Sequence, residues 1–396
     1  MPTPQRDWSD WGHLAARFER PGPRRVLALD GGGIRGLLTL GVLAELERQL
    51  REKWWKKEPD DFRLCHYFDV VAGTSTGAII AAGLARGMSV QELVSFYTDF
   101  GVKAFTKRTW YERWKSLYDN GELQAKLQQE FGAATLEPQH LQCLLLVVTR
   151  NQTTDSAWPI LTNPWAKYND KNRKDCNLRI PLWQIVRAST AAPVYFPPEV
   201  IAWDKDDASK QFVFVDGGTT AYNNPAFLAY RMLIEPAYRL EWPKGEGNLL
   251  IVSVGTGAAP TSGRTVDDPE QNLAATAKQT LDALMNQAAF DQDVNCRIVG
   301  RCVAGPHIDR EVGDLIPRDA GGSEIPLTTD LGRAFLYARY DALLTKDGLT
   351  SLECGDIDPA HVSMLDSVEY MKELDRVGCA VGARVDVSKF GPLLGD

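Results

Sequence analysis

Uninterrupted apolar runs recur along the first two thirds of the chain, and each ends in glycine or polar residues. They are "RRVLALD" (24–30), "FDVVAG" (68–73), 141–151, 211–220 and 248–257. Apolar runs without polar alternation are typical of strands that are buried on both faces, as in a mostly parallel sheet covered by helices. The pattern therefore predicts an α/β fold with three layers, α/β/α, around a mostly parallel central sheet.

Helical periodicity follows the first two of these runs. Residues 37–55 carry apolar side chains at helical spacing, and 78–86 is a small-residue segment that can pack close to a sheet. Each unit of strand, tight turn and helix has a glycine-rich turn at the carboxyl end of its strand. Ligands of α/β sheets bind at these ends. We expect these turns to converge on one site.

The pattern changes after residue 258. Residues 267–292, 328–346 and 361–378 are predicted to be helical, and 301–327 to be irregular chain with short strands. Residues 1–24 are polar and interrupted by proline, which favours an arm that lies on the surface or is partly disordered. We therefore divide the chain into an N-terminal arm (1–24), a core (25–260) and a helical C-terminal extension (261–396), which packs on the core and could carry regulation.

Composition narrows the class of protein. The chain has 396 residues, 44% hydrophobic and 24% charged, and a net charge of −8, which argues against nucleic acid as the main partner. Its seven cysteines include no CxxC pair, which favours free thiols in a reducing compartment. The N-terminal residues lack the apolar stretch of a signal peptide, and no run reaches the ~20 apolar residues that span a bilayer. We expect a cytoplasmic protein whose membrane contact, if any, is peripheral.

The segment "DGGGIRG" (30–36) places three glycines between a strand and a helix. Glycines allow a close approach of the backbone to a ligand, and a helix N-terminus offers unpaired N–H groups and the positive end of the helix dipole. Gly31, Gly32 and Gly33 are therefore candidates for binding an anion or a developing oxyanion, and Arg35 adds a cation.

The segment "GTSTG" (73–77) fits G-x-S-x-G between a strand and a helix, the setting of a nucleophile elbow. Gly73 and Gly77 permit a strained turn that exposes the hydroxyl of Ser75. On the pattern alone, a structural or phosphate-binding turn is an equally good interpretation.

A serine nucleophile needs a base. None of the five histidines stands in a turn at the end of a predicted strand; His66 lies toward the opposite end of the Ser75 strand and is interpreted as structural, whereas His307 stays open. Asp216 ends a strand, as Ser75 does, and could accept the serine proton directly. Because an ordinary aspartate, with a pKa of about 3.9, is a weak base, such a dyad would depend on strong stabilisation of the oxyanion.

Two other classes of protein stay open at this point. "GGGIRG" also fits the dinucleotide fingerprint G-x-G-x-x-G of an oxidoreductase. That fingerprint requires an acidic residue about 20 residues later, at the end of the next strand. The next strand ends "VVAGTSTG", without a carboxylate. A catalytically inactive binding scaffold is the second alternative.

The three motifs "DGGGIRG", "GTSTG" and "DGG" (216–218), in this order, resemble those of the patatin-like phospholipases. The stretches 188–198, 223–229 and 253–257 are similar to the family as well, so the resemblance covers about residues 24–260. It implies a Ser75/Asp216 dyad, an oxyanion hole from Gly31 to Gly33 with Arg35 nearby, and hydrolysis of acyl esters of membrane phospholipids without metal or cofactor. Some bacterial members are antiviral effectors switched on by a cyclic nucleotide, and the sequence is compatible with that role.

Two further regions are candidates for contacts with membrane and regulator. Trp110, Tyr111, Trp114 and Tyr118 alternate with basic residues in 107–118, a combination that suits a lipid headgroup region and equally a half-buried helix. Four arginines in the C-terminal part could meet the phosphate of a regulator, although their acidic neighbours favour salt bridges; they are Arg297, Arg301, Arg310 and Arg318.

Overall fold

A computed structural model describes residues 7–104, 121–204, 206–259 and 273–395. Within these ranges nine strands form one sheet. They are β1 (Arg24–Leu29), β2 (Val70–Thr74), β3 (Leu144–Asn151), β4 (Ser156–Leu161), β5 (Glu199–Ala202), β6 (Gln211–Asp216), β7 (Leu249–Val254), β8 (Arg301–Ala304) and β9 (Leu336–Tyr340). Their order is β5-β6-β3-β2-β1-β7-β9-β8, and β4 pairs with β3.

Helices cover both faces of the sheet. In chain order they are α1 (Ala15–Phe18), α2 (Gly36–Lys53), α3 (Leu64–Tyr67), α4 (Thr76–Ala85), α5 (Val90–Ala104), α6 (Gly121–Phe131), α7 (Leu182–Ser189), α8 (Ala226–Ile234), α9 (Leu273–Val299), α10 (Lys346–Ser351), α11 (Pro359–Ser363) and α12 (Met371–Gly382). Alternate strand residues face opposite layers: Leu27 and Leu29 pack with α2 and α4, whereas Val26 and Ala28 pack with α8. The predicted α/β fold is confirmed.

Six neighbouring strands run parallel, from β3 through β2, β1, β7 and β9 to β8. The strands β4, β5 and β6 at the other side are antiparallel to their partners. The sheet is therefore mostly parallel, as predicted, but the strand that carries Asp216 runs in the opposite direction to the strand that carries Ser75.

That reversal brings the ends of β2 and β6 together. The strand β2 runs parallel to β3 until Thr74 pairs with Val148, and β6 runs the other way until Asp216 pairs with Thr149. Because the paired residues of β3 are neighbours, the carboxyl ends of β2 and β6 meet head to head. Ser75 directly follows β2 and Asp216 is the last residue of β6, so both residues lie where these strands meet.

The C-terminal part is less helical than predicted. The predicted helix 328–346 is wrong, because residues 336–340 form β9, which pairs with β7 in the centre of the parallel set. Its sequence "LYARY" is buried throughout and carries the aromatic residues that favour strands. The predicted helix 361–378 is shifted, since α11 ends at Ser363 and α12 begins only at Met371. The predicted helix 267–292 matches α9 over the described residues.

The N-terminal segment is anchored to the core by three buried side chains, Trp11, Leu14 and Phe18. Trp11 is fully buried, with its ring 4.8 Å from that of Trp165 and 5.1 Å from that of Phe18. These side chains pack with α8 and the strand residues of that face, whereas residues such as Ser9, His13 and Glu19 are exposed. All seven cysteines are free thiols, as predicted. In the described parts of the chain, no helix has the length and apolar character needed to cross a bilayer.

Candidate active site

Ser75 stands at a strained turn between β2 and α4. Its backbone has φ 54° and ψ −123°, a conformation that a residue with a side chain rarely adopts. The turn requires glycine at both flanks because the backbone segments there are in contact. A Cβ on Gly73 would lie 2.1 Å from the carbonyl oxygen of Gly77, and a Cβ on Gly77 would lie 2.3 Å from the carbonyl oxygen of Leu29. Both glycines are needed to present the Ser75 hydroxyl at the carboxyl edge of the sheet.

The hydroxyl of Ser75 donates a hydrogen bond of 2.6 Å to Oδ2 of Asp216. The other carboxylate oxygen of Asp216 accepts from the backbone N–H of Gly218 at 2.7 Å. The chain thus holds the carboxylate from both sides and directs one oxygen at the nucleophile. The structure brings together these two residues that the sequence singled out.

Burial changes the acid–base chemistry of Asp216. The residue is 1% exposed, and this burial raises the pKa of its carboxyl to about 7, against the opposing effects of the hydrogen bonds from Ser75 and Gly218 and of the positive charge of Arg187. A carboxylate with a pKa near neutrality is a much better proton acceptor than an ordinary aspartate. The main objection to aspartate as a base, its weak basicity, is therefore reduced by its surroundings.

A second serine supports the nucleophile. The backbone N–H of Ser75 donates to Oγ of Ser189 at 2.9 Å, and this hydroxyl donates to the carbonyl oxygen of Val148 at 2.6 Å. Ser189 ends α7 and is completely buried. It therefore ties the elbow to the strand β3, along which the dyad assembles.

The glycine loop lies against Ser75. A Cβ on Gly31 would come within 3.1 Å of the Ser75 Cβ, and Gly33, at φ +59°, lines the same cavity as Ser75 and Asp216. The N–H of Gly31 already donates to the carbonyl oxygen of Asn223 at 3.1 Å. The N–H groups of Gly32 and Gly33 meet no acceptor in the part of the chain that the structure describes. These two N–H groups are the candidates for binding an anion.

Arg35 braces the loop from within. It is 3% exposed, and its guanidinium donates long hydrogen bonds to the carbonyl oxygens of Gly32 (3.4 Å) and Ser363 (3.3 Å). No contact with Ser75 is among its hydrogen bonds to described residues. Arg35 thus holds the backbone that precedes the helix α2.

An apolar cavity opens beside the dyad. Its polar lining groups other than the dyad belong to Thr76, Tyr97, Thr190 and Tyr195. The remaining side chains of its wall are hydrocarbon or thioether groups, from Ile34, Ile79, Leu123, Ala192, Phe196, Met285 and Leu365. Such a lining suits an aliphatic chain whose ester group reaches Ser75.

The histidines lie elsewhere. The ring of His66 stacks on Trp55 at 4.8 Å, and its Nδ1 accepts from the backbone N–H of Arg63, which supports the structural interpretation. His307 lines a different cavity, between α9 and the ends of β7 and β9. None of the five histidines bonds to Ser75 or Asp216 within the described residues, and no cluster of metal-ligating side chains is found there.

The C-terminal arginines are engaged in the structure of the protein. Arg297 forms a two-pronged ion pair with Asp293, Arg301 pairs with Glu246, and Arg318 pairs with Asp314. Arg310 is exposed. The four side chains therefore do not form one phosphate pocket. The aromatic and basic segment 107–118 lies outside the described residues.

Sequence reasoning did not identify several residues that hold the site. Ser189, Asn223 and Thr256 lie in the three stretches that were noted as similar to the family, but no role could be derived for them from the residues alone. The hydroxyl of Thr256 donates to the carbonyl oxygen of Gly31 at 2.9 Å. Nothing in the sequence indicated a role for Arg339, because the segment around it was predicted to be helical.

The chain is similar in sequence to known proteins. A sequence profile described as "Patatin-like phospholipase" matches residues 27–230. Patatin-T5 of Solanum tuberosum is 28% identical over 270 residues, which cover 65% of this chain and 66% of that protein. The cGAMP-activated phospholipase of Vibrio cholerae is 31% identical over 244 residues, which cover 59% of this chain and 64% of that protein. The chain thus spans slightly less than two thirds of the length of these relatives.

Among solved structures, human GIVD cytosolic phospholipase A2 gives a TM-score of 0.42 at 11% identity, covering 94% of this chain and 59% of that chain. VipD from Legionella pneumophila gives a TM-score of 0.36 at 13% identity, covering 89% of this chain and 67% of that chain. The family profile, which carries the assignment, matches more than half of the 396 residues. The chain belongs to the patatin-like phospholipase family.

Proposed function

We propose that this protein is a serine-dependent lipid acyl hydrolase of the phospholipase A type, which cleaves fatty-acyl esters of membrane glycerophospholipids through Ser75 and Asp216. The observation that carries the proposal is the 2.6 Å hydrogen bond from the Ser75 hydroxyl to the buried Asp216 carboxylate, at the wall of an apolar cavity. Membership of the family and the free amides of the glycine loop support it.

The first half of the reaction forms an acyl-enzyme. Oγ of Ser75 attacks the ester carbonyl carbon while its proton passes to Oδ2 of Asp216. The carbonyl oxygen becomes an oxyanion, which the N–H groups of Gly32 and Gly33 stabilise. When the intermediate collapses, the bond to the glycerol oxygen breaks, and Asp216 returns its proton to that oxygen, so the lysophospholipid leaves as an alcohol.

The second half releases the fatty acid. Asp216 takes a proton from a water molecule, whose oxygen attacks the acyl carbon of the ester to Ser75 and again forms an oxyanion at the glycine loop. The bond to Oγ then breaks, Oγ takes the proton back from Asp216, and the free enzyme is restored. A base with a pKa of about 7 can accept and return a proton in both halves near neutral pH.

The proposed substrate follows from the cavity and the family. Side chains such as Ile79, Leu123, Phe196 and Met285 would surround the acyl chain, while the polar headgroup would stay outside. Because phospholipids reside in bilayers, the protein would need peripheral contact with a membrane. It would make this contact from the cytoplasm.

Activation by a cyclic nucleotide is a second element of the proposal. The relative from Vibrio cholerae is named a cGAMP-activated phospholipase, and about three fifths of this chain aligns with it. We extend that regulation to this chain, whose activity would rise when a cyclic dinucleotide is bound, as suits an effector of antiviral defence. Isothermal titration calorimetry with 3′,3′-cGAMP, cyclic di-AMP and cyclic di-GMP tests it, and the absence of binding for all three would refute this element alone.

The decisive experiment on the chemistry is intact-protein mass spectrometry after fluorophosphonate treatment, with and without the same nucleotides. We expect a single adduct in the wild type, none in Ser75→Ala, and slow formation in Asp216→Ala. Liposomes of phosphatidylcholine and phosphatidylglycerol should yield fatty acid and lysophospholipid with the wild type only. A wild type that binds liposomes without forming an adduct under any condition would instead indicate a lipid-binding scaffold, whereas specific binding of a nicotinamide dinucleotide would indicate an oxidoreductase.

A further inference from the structure

A buried arginine from the C-terminal part contacts the residue that precedes the glycine loop. Arg339, the penultimate residue of β9, donates to both carboxylate oxygens of Asp30 at 2.9 and 2.7 Å. Both side chains are 3% exposed, and 309 residues separate them in the sequence. Asp30 directly follows β1, and the next residue is Gly31.

The same guanidinium joins two other elements at this edge of the sheet. It donates to Oγ of Ser253 at 2.7 Å and to Oδ2 of Asp341 at 2.6 Å. The second oxygen of Asp341 accepts from the N–H of Gly257 at 2.9 Å. One planar cation thus links the end of β1, the end of β7 and the turn that follows β7.

The turn after β7 reaches back to the glycine loop. Thr256, between the two glycines of that turn, donates to the carbonyl oxygen of Gly31 at 2.9 Å. Arg339 therefore fixes the loop twice, once through Asp30 and once through Asp341, Gly257 and Thr256. The first connection acts on the residue before Gly31, and the second acts on the peptide unit that carries the Gly32 N–H, one residue before Gly33.

We propose that Arg339 is a positioning residue for the oxyanion-binding amides of Gly32 and Gly33. It touches neither Ser75 nor Asp216 and acts by holding Asp30 and the 255–257 turn in place. The inference rests on the proposed hydrolase function. It makes β9, which lies outside the stretch that matches the family profile, a part of the active-site framework.

The geometry requires an arginine. Four acceptor oxygens, on Asp30, Ser253 and Asp341, lie around one planar fork, which matches the fixed donor directions of a guanidinium and not a single ammonium group. Burial raises the pKa of Asp30 to about 7 even with Arg339 beside it. Without the guanidinium, Asp30 would be protonated at neutral pH and would no longer hold a fixed partner on β9.

The test compares Arg339 with Arg301, an equally buried arginine on the adjacent strand β8 that pairs with Glu246 at 2.9 Å, away from the dyad. Arg339→Gln, Arg339→Lys, Arg301→Gln and Arg301→Lys are assayed for hydrolysis of a soluble ester, for the rate of fluorophosphonate labelling of Ser75, and for Tm. We expect Arg339→Gln to lower kcat and the labelling rate about 100-fold, with KM changed by less than about twofold. Arg339→Lys should recover a part of that loss. The Arg301 variants should lose similar Tm and keep kcat.

A second variant guards against simple unfolding. Asp30→Asn keeps the shape of the side chain and leaves Arg339 paired with Asp341, so a folded protein is expected, with the same selective loss of kcat. The proposal is overturned if the Arg339 and Asp30 variants lose no more kcat than Arg301 variants of equal Tm, or if only KM changes. Those results would not affect the proposed hydrolase function. A wild type that neither hydrolyses the ester nor reacts with the fluorophosphonate would refute both the hydrolase function and the positioning role of Arg339.

Discussion

Ser75 and Asp216 are 141 positions apart in the sequence, and their side chains meet at 2.6 Å because β2 and β6 end against each other along β3. The dyad is therefore assembled by the register of three central strands and not by a flexible loop. Changes that remove its chemistry should leave the sheet intact.

The first prediction concerns the dyad itself. Ser75→Ala and Asp216→Asn should each lower kcat by about 10⁴-fold, because neither the nucleophile nor its base can be replaced by a neighbouring group. Release of fatty acid from liposomes measures the loss, and circular dichroism should show an unchanged fold. If Asp216→Asn retained more than a tenth of the activity, another base would have to be sought.

Asp216→Asn should also change the stability, and with a definite dependence on pH. The folded-state pKa of Asp216 is raised, so folding favours its protonated form; the wild type loses this stability as the pH rises from about 4 to about 7. The uncharged variant has no such loss. Its free energy of unfolding should therefore exceed that of the wild type by an amount that grows over this range and is constant above it, as urea titrations at several pH values would show.

The second prediction is a pH profile of activity. Because Asp216 must be ionised to accept the Ser75 proton, kcat/KM should increase tenfold per pH unit below about pH 7 and level off above it. An uncharged soluble ester should serve as substrate, so that lipid ionisation does not contribute. A profile that stays level down to pH 5 would show that the pKa of this carboxylate is not raised by its burial.

Much of this arrangement was predictable from the sequence, because it depends on local signals. The uninterrupted apolar runs identify strands that are buried on both faces, and the glycines at 73 and 77 mark a turn whose backbone segments touch. Asp216 could be proposed because it ends a buried strand, although its strand proved antiparallel. Asp216 lies next to Ser75 despite the opposite direction of its strand, because the carboxyl ends of β2 and β6 meet along β3.

What the sequence did not reveal depends on contacts over long distances in the chain. Nothing near Ser189 indicates that its hydroxyl accepts from the Ser75 backbone, and nothing near Arg339 indicates a partner 309 residues away. The apolar and polar residues around Arg339 alternate too little to distinguish a strand from a helix, and pairing with β7 and β8 determines the structure of this segment. The raised pKa of Asp216 likewise comes from burial by many elements together.

The third prediction tests the support of the elbow. Ser189→Ala leaves the buried N–H of Ser75 without its acceptor, which should cost about 1–3 kcal/mol of unfolding free energy and lower kcat. Urea denaturation and ester hydrolysis measure the two effects. Ser367→Ala is a matched control, because Ser367 is also buried but its hydroxyl has no partner among the described residues. Equal behaviour of the two variants would remove Ser189 from the site.

The fourth prediction concerns membrane contact and rests on the sequence of 107–118. Trp and Tyr favour the headgroup region of a bilayer, so replacing both Trp110 and Trp114 by alanine should weaken binding to anionic liposomes in flotation assays. Hydrolysis of a soluble ester should be unchanged. Tyr168→Ala, an exposed aromatic residue elsewhere, is the control and should bind as the wild type does. Parallel losses on liposomes and soluble ester would count against a membrane role for these tryptophans.

The fifth prediction uses the cavity wall to set the length of the acyl chain. Ile79 on α4 lines the cavity beside Ser75, so Ile79→Phe places a ring in space that a long acyl chain would use. We expect kcat/KM for a palmitoyl ester to fall about 10-fold, and that for an acetyl ester to change by less than about twofold, since a filled pocket discriminates by size. Ile80→Phe is the matched control, because Ile80 is fully buried on the same helix but does not line the cavity. It should cost about 1–3 kcal/mol through overpacking and leave the ratio of the two esters unchanged. If Ile79→Phe left the ratio unchanged as well, the acyl chain would have to lie outside this cavity.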